Sequence, residues 1–159
     1  PKAFIVGVVA NIRHEKGVGY AVAAADRLAA RGRTVHMLLV GNDERPWLER
    51  RLRPLASTGR VTLLGHRSDV AALLGAFDAL MIPSLREGSP RVAAEAMLRG
   101  VPVIATAVGG LPELVADGRT GLLVPPRDPA ALAAAVEQLM DTPGLAATLA
   151  EGARRFFLD

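Results

Sequence analysis

Three short segments of this 159-residue chain carry the residues whose types and spacing suit chemistry. The first, Asn11-Ile12-Arg13-His14-Glu15-Lys16-Gly17, sets a guanidinium and an ammonium three positions apart, just ahead of an amphipathic stretch. Fixed cations beside free helix amides suit a phosphate, although a solvated loop in which Glu15 neutralises one cation explains the same residues. Lys2 and Lys16 are the only lysines among nineteen basic residues, and a compact ammonium serves an anion where arginine would ask for a planar acceptor. The second segment runs from Ser84 to Met97 and holds Glu87, Gly88, Ser89, Pro90, Arg91, Val92 and Glu95. It combines a helix start with two acids able to accept hydrogen bonds from hydroxyls. Glu87 also reads as a capping or solvated loop acid, and Glu95 as a residue of the helix's solvent face. The third, Gly109-Gly110 ahead of Pro112, is either a close-approach loop for a ligand or a plain tight turn.

Other chemistries find no support. There is no cysteine, and His14, His36 and His66 lack the paired spacing of a metal site, so neither metal nor cofactor is expected. Neither a Gly-x-Ser-x-Gly elbow nor a P-loop occurs. Gly17-Val18-Gly19-Tyr20-Ala21-Val22 starts like a dinucleotide fingerprint, but Tyr20 and Val22 stand where small residues are needed. Asp43, after the second strand, keeps a ribose-binding alternative open. The net charge of +3 comes without runs of like charge or Arg interleaved with aromatics, so a nucleic-acid partner is not expected. No apolar run reaches about 20 residues, and the expected location is the cytoplasm, with peripheral membrane association of a longer protein left open.

The elements that must position these segments alternate. Half the residues are hydrophobic and 22% are charged, a balance that folds. Short apolar runs read as strands buried on both faces: Phe4 to Ala10, Thr34 to Val40, Arg60 to Gly65, Ala79 to Ile82, Val101 to Ala105 and Gly121 to Val124. Helical spacing falls between them: Gly17 to Ala30, a helix opened by Pro46, Ser68-Asp69 to Ala76, Ser89 as N-cap with Pro90 next and a stop at Arg99-Gly100, and Leu111 to Ala116. Two helices, Pro129 to Met140 and Leu145 to about Phe157, finish the chain. This order predicts an α/β fold: a three-layer, doubly wound (Rossmann-like) parallel sheet of about six strands in one domain spanning 1–159. Ligands of such sheets bind outside the carboxyl ends of the strands, where all three segments lie.

Taken together, these segments resemble a known family. Asn11-x-Arg13-x-x-Lys16-Gly17, Gly41, Leu64-Gly65, Pro83-Ser84-x-x-Glu87-Gly88-x-Pro90-x-x-x-x-Glu95-Ala96-Met97, Gly100-x-Pro102-Val103-x-Ala105-Thr106, Gly109-Gly110-x-Pro112-Glu113 and Asp117-Gly118-x-Thr120-Gly121-x-Leu123-Val124-x-Pro126 occur in one order. This order is similar to the C-terminal, donor-binding domain of group 1 glycosyltransferases of the GT-B fold, the retaining enzymes with two glutamates separated by seven residues. The similarity runs from Phe4 to about Arg155.

The resemblance implies a UDP- or GDP-sugar donor, a hexose-type sugar transferred with retention, and no required metal. Arg13 and Lys16 would bind the donor diphosphate, with backbone amides near Arg91 and Val92, in the Gly88-Ser89-Pro90 turn and helix start. Glu87 would contact the donor sugar and Glu95 the ribose. Gly41 and Gly65-His66-Arg67 would lie near ribose and base, and Gly109-Gly110 near the donor. Arg91 replaces a residue that is often smaller in the family, and Asn11 stands where many members have arginine, with Arg13 taking its place. Which of Arg13, Lys16 and Arg91 carries most of the phosphate charge stays open. Pro1 and the apolar end Phe156-Phe157-Leu158 suggest a domain excised from a longer enzyme, with donor binding but little transfer expected without an N-terminal acceptor domain. The acceptor is not specified by these residues. A sugar-nucleotide epimerase relative and a non-catalytic NAD-binding module are the alternatives.

Overall fold

A computed structural model describes residues 2–42, 50, 52–54, 58 and 60–159. The Val-rich runs form strands β1 (Phe4–Val9), β2 (Val35–Val40), β3 (Val61–Gly65), β4 (Ala79–Ile82), β5 (Val103–Thr106) and β6 (Leu122–Val124). They pair in one sheet of order β3-β2-β1-β4-β5-β6, and every pairing is parallel. Between them lie α1 (Val18–Ala30), α2 (Val70–Leu74), α3 (Arg91–Leu98) and α4 (Leu111–Leu114), followed by α5 (Pro129–Asp141) and α6 (Leu145–Leu158). The doubly wound parallel sheet expected from the alternation is what the chain adopts.

Side chains of successive strand residues point to opposite faces, so each central strand feeds two cores. In β4, Ala79 and Met81 pack into a cluster with α1 and α5, whereas Leu80 and Ile82 pack into a second with α2, α3 and α4. Leu149 of α6 joins the first cluster and Ala153 the second, so the last helix bridges both layers. Arg31 and Arg33, just beyond α1, pair with Glu137 and Asp141 of α5 and tie those helices together at the surface.

Several element ends differ from the expectation. α3 begins at Arg91 with Pro90, not Ser89, as its N-cap. The ψ of 71° at Pro90 lies outside the helical region, so the turn closes one residue later than the Ser-Pro pattern suggests. β5 begins at Val103 instead of Val101, because Pro102 has no N–H to give the ladder and only its carbonyl takes part, accepting from Leu80. Gly121 makes an isolated bridge with Asp117 and is not part of β6. α2 and α4 stop at Leu74 and Leu114, short of Ala76 and Ala116. Residues 50 and 52–54 are helical; Asp43 and the helix opening at Pro46 lie outside the described residues. No helix among the described residues is long and apolar enough to cross a membrane.

Candidate functional site

The chain runs outward from β1 to β2 and β3, then returns to place β4 on the other side of β1. The strand order therefore reverses between β1 and β4, the place where open α/β sheets form a ligand crevice. Those loops are 10–17 and 83–90, which carry the first two chemical segments. Gly17 brings them together: with φ 65° it ends a 3₁₀ turn (His14–Lys16), and a Cβ there would lie 1.9 Å from the carbonyl oxygen of Pro83. Only glycine allows that approach. The amides of Leu85 and Arg86 donate to the Glu15 carbonyl at 2.7 and 3.3 Å, lacing the loops further.

The 83–90 loop is held equally firmly from its other side. Gly109, φ 53°, lies so close that a Cβ would come within 1.8 Å of the Glu87 carbonyl oxygen, and the Gly110 amide donates to that oxygen at 3.1 Å. The buried Thr106 hydroxyl donates to the Ser84 carbonyl at 2.5 Å. Gly109 and Gly110 thus act on the backbone beneath Glu87. So fixed, Glu87 presents its carboxylate to two donors. The Ser84 hydroxyl reaches Oε2 at 3.1 Å, and Lys16 Nζ reaches Oε2 at 3.1 Å and Oε1 at 3.4 Å. The Lys16 side chain keeps 30% of its exposure and that of Glu87 only 11%.

A cavity of about 200 Å³ opens at this pair, walled by Lys16, Ser84, Glu87, Ser89, Pro90, Arg91 and Val92 with the ends of β1 and β4. The N-terminus of α3, capped by no side chain, borders it. Arg91, Ala93 and Ala94 give their amides to Ser89 and Pro90 carbonyls; Val92 has no such backbone acceptor among the described residues. A positive helix end beside an ammonium is suited to a polyanion, and a carboxylate alongside is suited to hydroxyls attached to it. Among the described residues no three His, Asp or Glu side chains are placed to hold a metal ion.

The remaining expected residues lie around this centre. Arg13 is exposed at the head of the 3₁₀ turn, where its carbonyl accepts from the Lys16 amide at 3.1 Å. Glu95 is exposed, one turn along α3 from Arg91 and on the same helix face, outside the cavity wall. Gly41 is pressed against β1, since a Cβ would meet the Ala10 carbonyl oxygen at 1.9 Å, and its amide donates to Gly65 at 2.8 Å. Gly65, His66 and Arg67 are exposed at the end of the edge strand β3, two strands from the crevice. Arg67 is engaged bidentately with Asp69 at 2.8 and 2.7 Å. That hydrogen-bonded pairing raises the arginine pKa and holds the Asp69 carboxyl below the ordinary range. Gly88 is exposed, between Glu87 and Ser89 of the cavity wall, with open space where a Cβ would be.

Reasoning from the sequence missed two contributors. Ser84 and Thr106 are 2% and 1% exposed. Thr106 closes a strand buried on both faces, where a hydroxyl must find a partner, and that was the available signal. The dinucleotide alternative loses its footing in the geometry, because Gly17 faces the Pro83 backbone and not an open pyrophosphate site.

The family model described as glycosyl transferases group 1 matches residues 3–142. The chain belongs to the group 1 glycosyltransferase family. It is 38% identical over 151 residues to a glycogen synthase of Mycobacterium tuberculosis, covering 92% of this chain and 36% of that protein. The crystal structure of Anabaena HepE in complex with UDP and glucose superposes with a TM-score of 0.86 at 31% identity, over 97% of this chain and 43% of that one. A sucrose-phosphate synthase from Thermosynechococcus elongatus gives 0.85 at 36% identity, over 96% and 40%. The chain therefore spans less than half the length of each of these three proteins, and its fold is that of the C-terminal domain of a GT-B glycosyltransferase.

Proposed function

We propose that this domain binds a UDP- or GDP-sugar and that the protein it serves transfers a hexose-type sugar from that donor to an acceptor with retention of configuration. The observation that carries the reading is the Lys16–Glu87 pair at 3.1 Å, set across the strand-order reversal beside an uncapped helix N-terminus. The UDP and glucose named for the HepE complex support the ligand class. Sites for small molecules commonly run to about 300–1,000 Å³. A cavity of about 200 Å³ houses part of such a donor, and the nucleoside extends over the exposed loops.

In this reading the diphosphate lies between Lys16 and the Val92 amide, with Arg13 and Arg91 at its flanks. When the anomeric carbon–oxygen bond breaks, negative charge grows on the leaving phosphate and positive charge on the sugar. Fixed cations and helix amides meet the first without reorganising. An ammonium has three donors, so Lys16 holds Glu87 and the phosphate at once. Glu87 accepts hydrogen bonds from sugar hydroxyls beside the oxocarbenium-like centre. Glu95 accepts from the ribose, with Gly41 and the Gly65–Arg67 loop toward the base. The leaving diphosphate is stabilised by protein cations, and no metal is required. Titration calorimetry with UDP, GDP and ADP tests the core of this reading: millimolar-or-tighter binding of UDP or GDP is expected, and no binding of any of the three would sink it.

A further inference from the structure

Glu87 is held by a residue with no assigned part in the site. Its carboxylate oxygens are not equivalent: Oε2 accepts from both Ser84 Oγ and Lys16 Nζ at 3.1 Å, whereas among the described residues Oε1 has only the longer Lys16 contact at 3.4 Å. Ser84 is 2% exposed and lies in the cavity wall. Its own backbone is pinned by the Thr106 hydroxyl, 1% exposed, at 2.5 Å. Thr106 in turn closes β5, so a buried path runs from the sheet through the Thr106 hydroxyl to the Ser84 backbone carbonyl, and from the Ser84 hydroxyl to the carboxylate.

We propose that Ser84, seated by Thr106, is a positioning residue: it fixes the Glu87 carboxylate so that Oε1 is the oxygen offered to the ligand. Lys16 alone cannot do this. An ammonium is a point charge that follows a carboxylate through its rotations, and this one serves the diphosphate as well. The Ser84 hydroxyl sits on a short, buried side chain and contacts one oxygen only. Without it Glu87 keeps its charge and its place in the chain but loses the bond that sets its orientation.

The inference rests on the donor reading, and the test separates the two. Ser84→Ala should bind UDP within twofold of the parent but bind UDP-glucose roughly tenfold more weakly, the scale of one hydrogen bond to a charged group. Ser84→Thr, which keeps the hydroxyl, should recover most of that loss. In a Glu87→Ala background, where no side-chain acceptor remains, Ser84→Ala should add less than twofold. Equal weakening of UDP and UDP-glucose, no rescue by threonine, or full additivity with Glu87→Ala would each overturn the role. If the parent binds neither nucleotide the donor reading fails, and urea unfolding of the four proteins in the Ser84→Ala, Glu87→Ala cycle then decides the positioning. A coupling of threefold or more in the unfolding constant upholds it, and none overturns it.

Discussion

The loops that follow β4 and β3 leave the same edge of one sheet and are built in opposite ways. The 83–90 loop lies beside the central strand and is fixed on both flanks, by the Glu15 carbonyl and Gly17 on one and by Thr106, Gly109 and Gly110 on the other. The 65–67 loop follows the edge strand; among the described residues its hydrogen bonds to the rest of the fold amount to the Gly41 amide on the Gly65 carbonyl, and Arg67 turns back on Asp69 two residues away. A central loop has neighbours to lean on, and an edge loop has solvent. Charge placed on the first is preorganised, as stabilisation of a developing charge requires. Charge placed on the second must be ordered by whatever binds.

The largest expected effect tests that difference through backbone. Gly109→Ala puts a Cβ 1.8 Å from the Glu87 carbonyl at φ 53°, so left-handed strain and steric conflict add. A loss of about 3 kcal/mol in urea unfolding is expected, with UDP-glucose binding lost along with the geometry of Glu87. Gly65→Ala has a similar φ of 68° but open space around it and should cost only the backbone strain, about 1–2 kcal/mol. Equal losses at the two glycines would break the comparison.

A smaller effect should come from charge alone. Lys16→Ala removes the ammonium without moving a backbone atom. UDP affinity is expected to fall about tenfold, the range of a charge-assisted hydrogen bond, while uridine binding by the same calorimetric titration stays within twofold. If uridine weakens as much as UDP, Lys16 is serving the loop and not the diphosphate.

Much of the central loop's chemistry was legible beforehand, and its fastening was not. Alternating apolar runs and helical stretches announced a parallel sheet, and Glu87, Lys16 and the Ser-Pro helix start stood out as residue types. That Lys16 and Glu87, 71 positions apart, would share a hydrogen bond depends on β1 and β4 being neighbours, and no local pattern encodes strand order. Gly109-Gly110 illustrates the same gap. Read locally the pair was a turn or a ligand approach, yet its clearest partner is the Glu87 carbonyl, contributed by the neighbouring strand's loop. Pro90 taking the N-cap from Ser89 is a lesser version, a helix end shifted by one residue through the loop it must join.

The smallest effect belongs to the edge loop and is best seen through pH. Arg67 lowers the Asp69 carboxyl pKa, chiefly through its hydrogen bond. An acid whose folded pKa is depressed contributes stability above its unfolded value, about 3.9, and that contribution disappears as pH falls through the folded value. Arg67→Ala should therefore lower the Tm slightly at pH 7, and the difference from the parent should vanish near pH 2. Because both side chains are more than 40% exposed, 0.5 M salt should shrink the difference as acid does. A salt-insensitive difference, or one that survives at pH 2, would show Arg67 integrated into the fold as firmly as the 83–90 loop, and the contrast between centre and edge would then have to be given up.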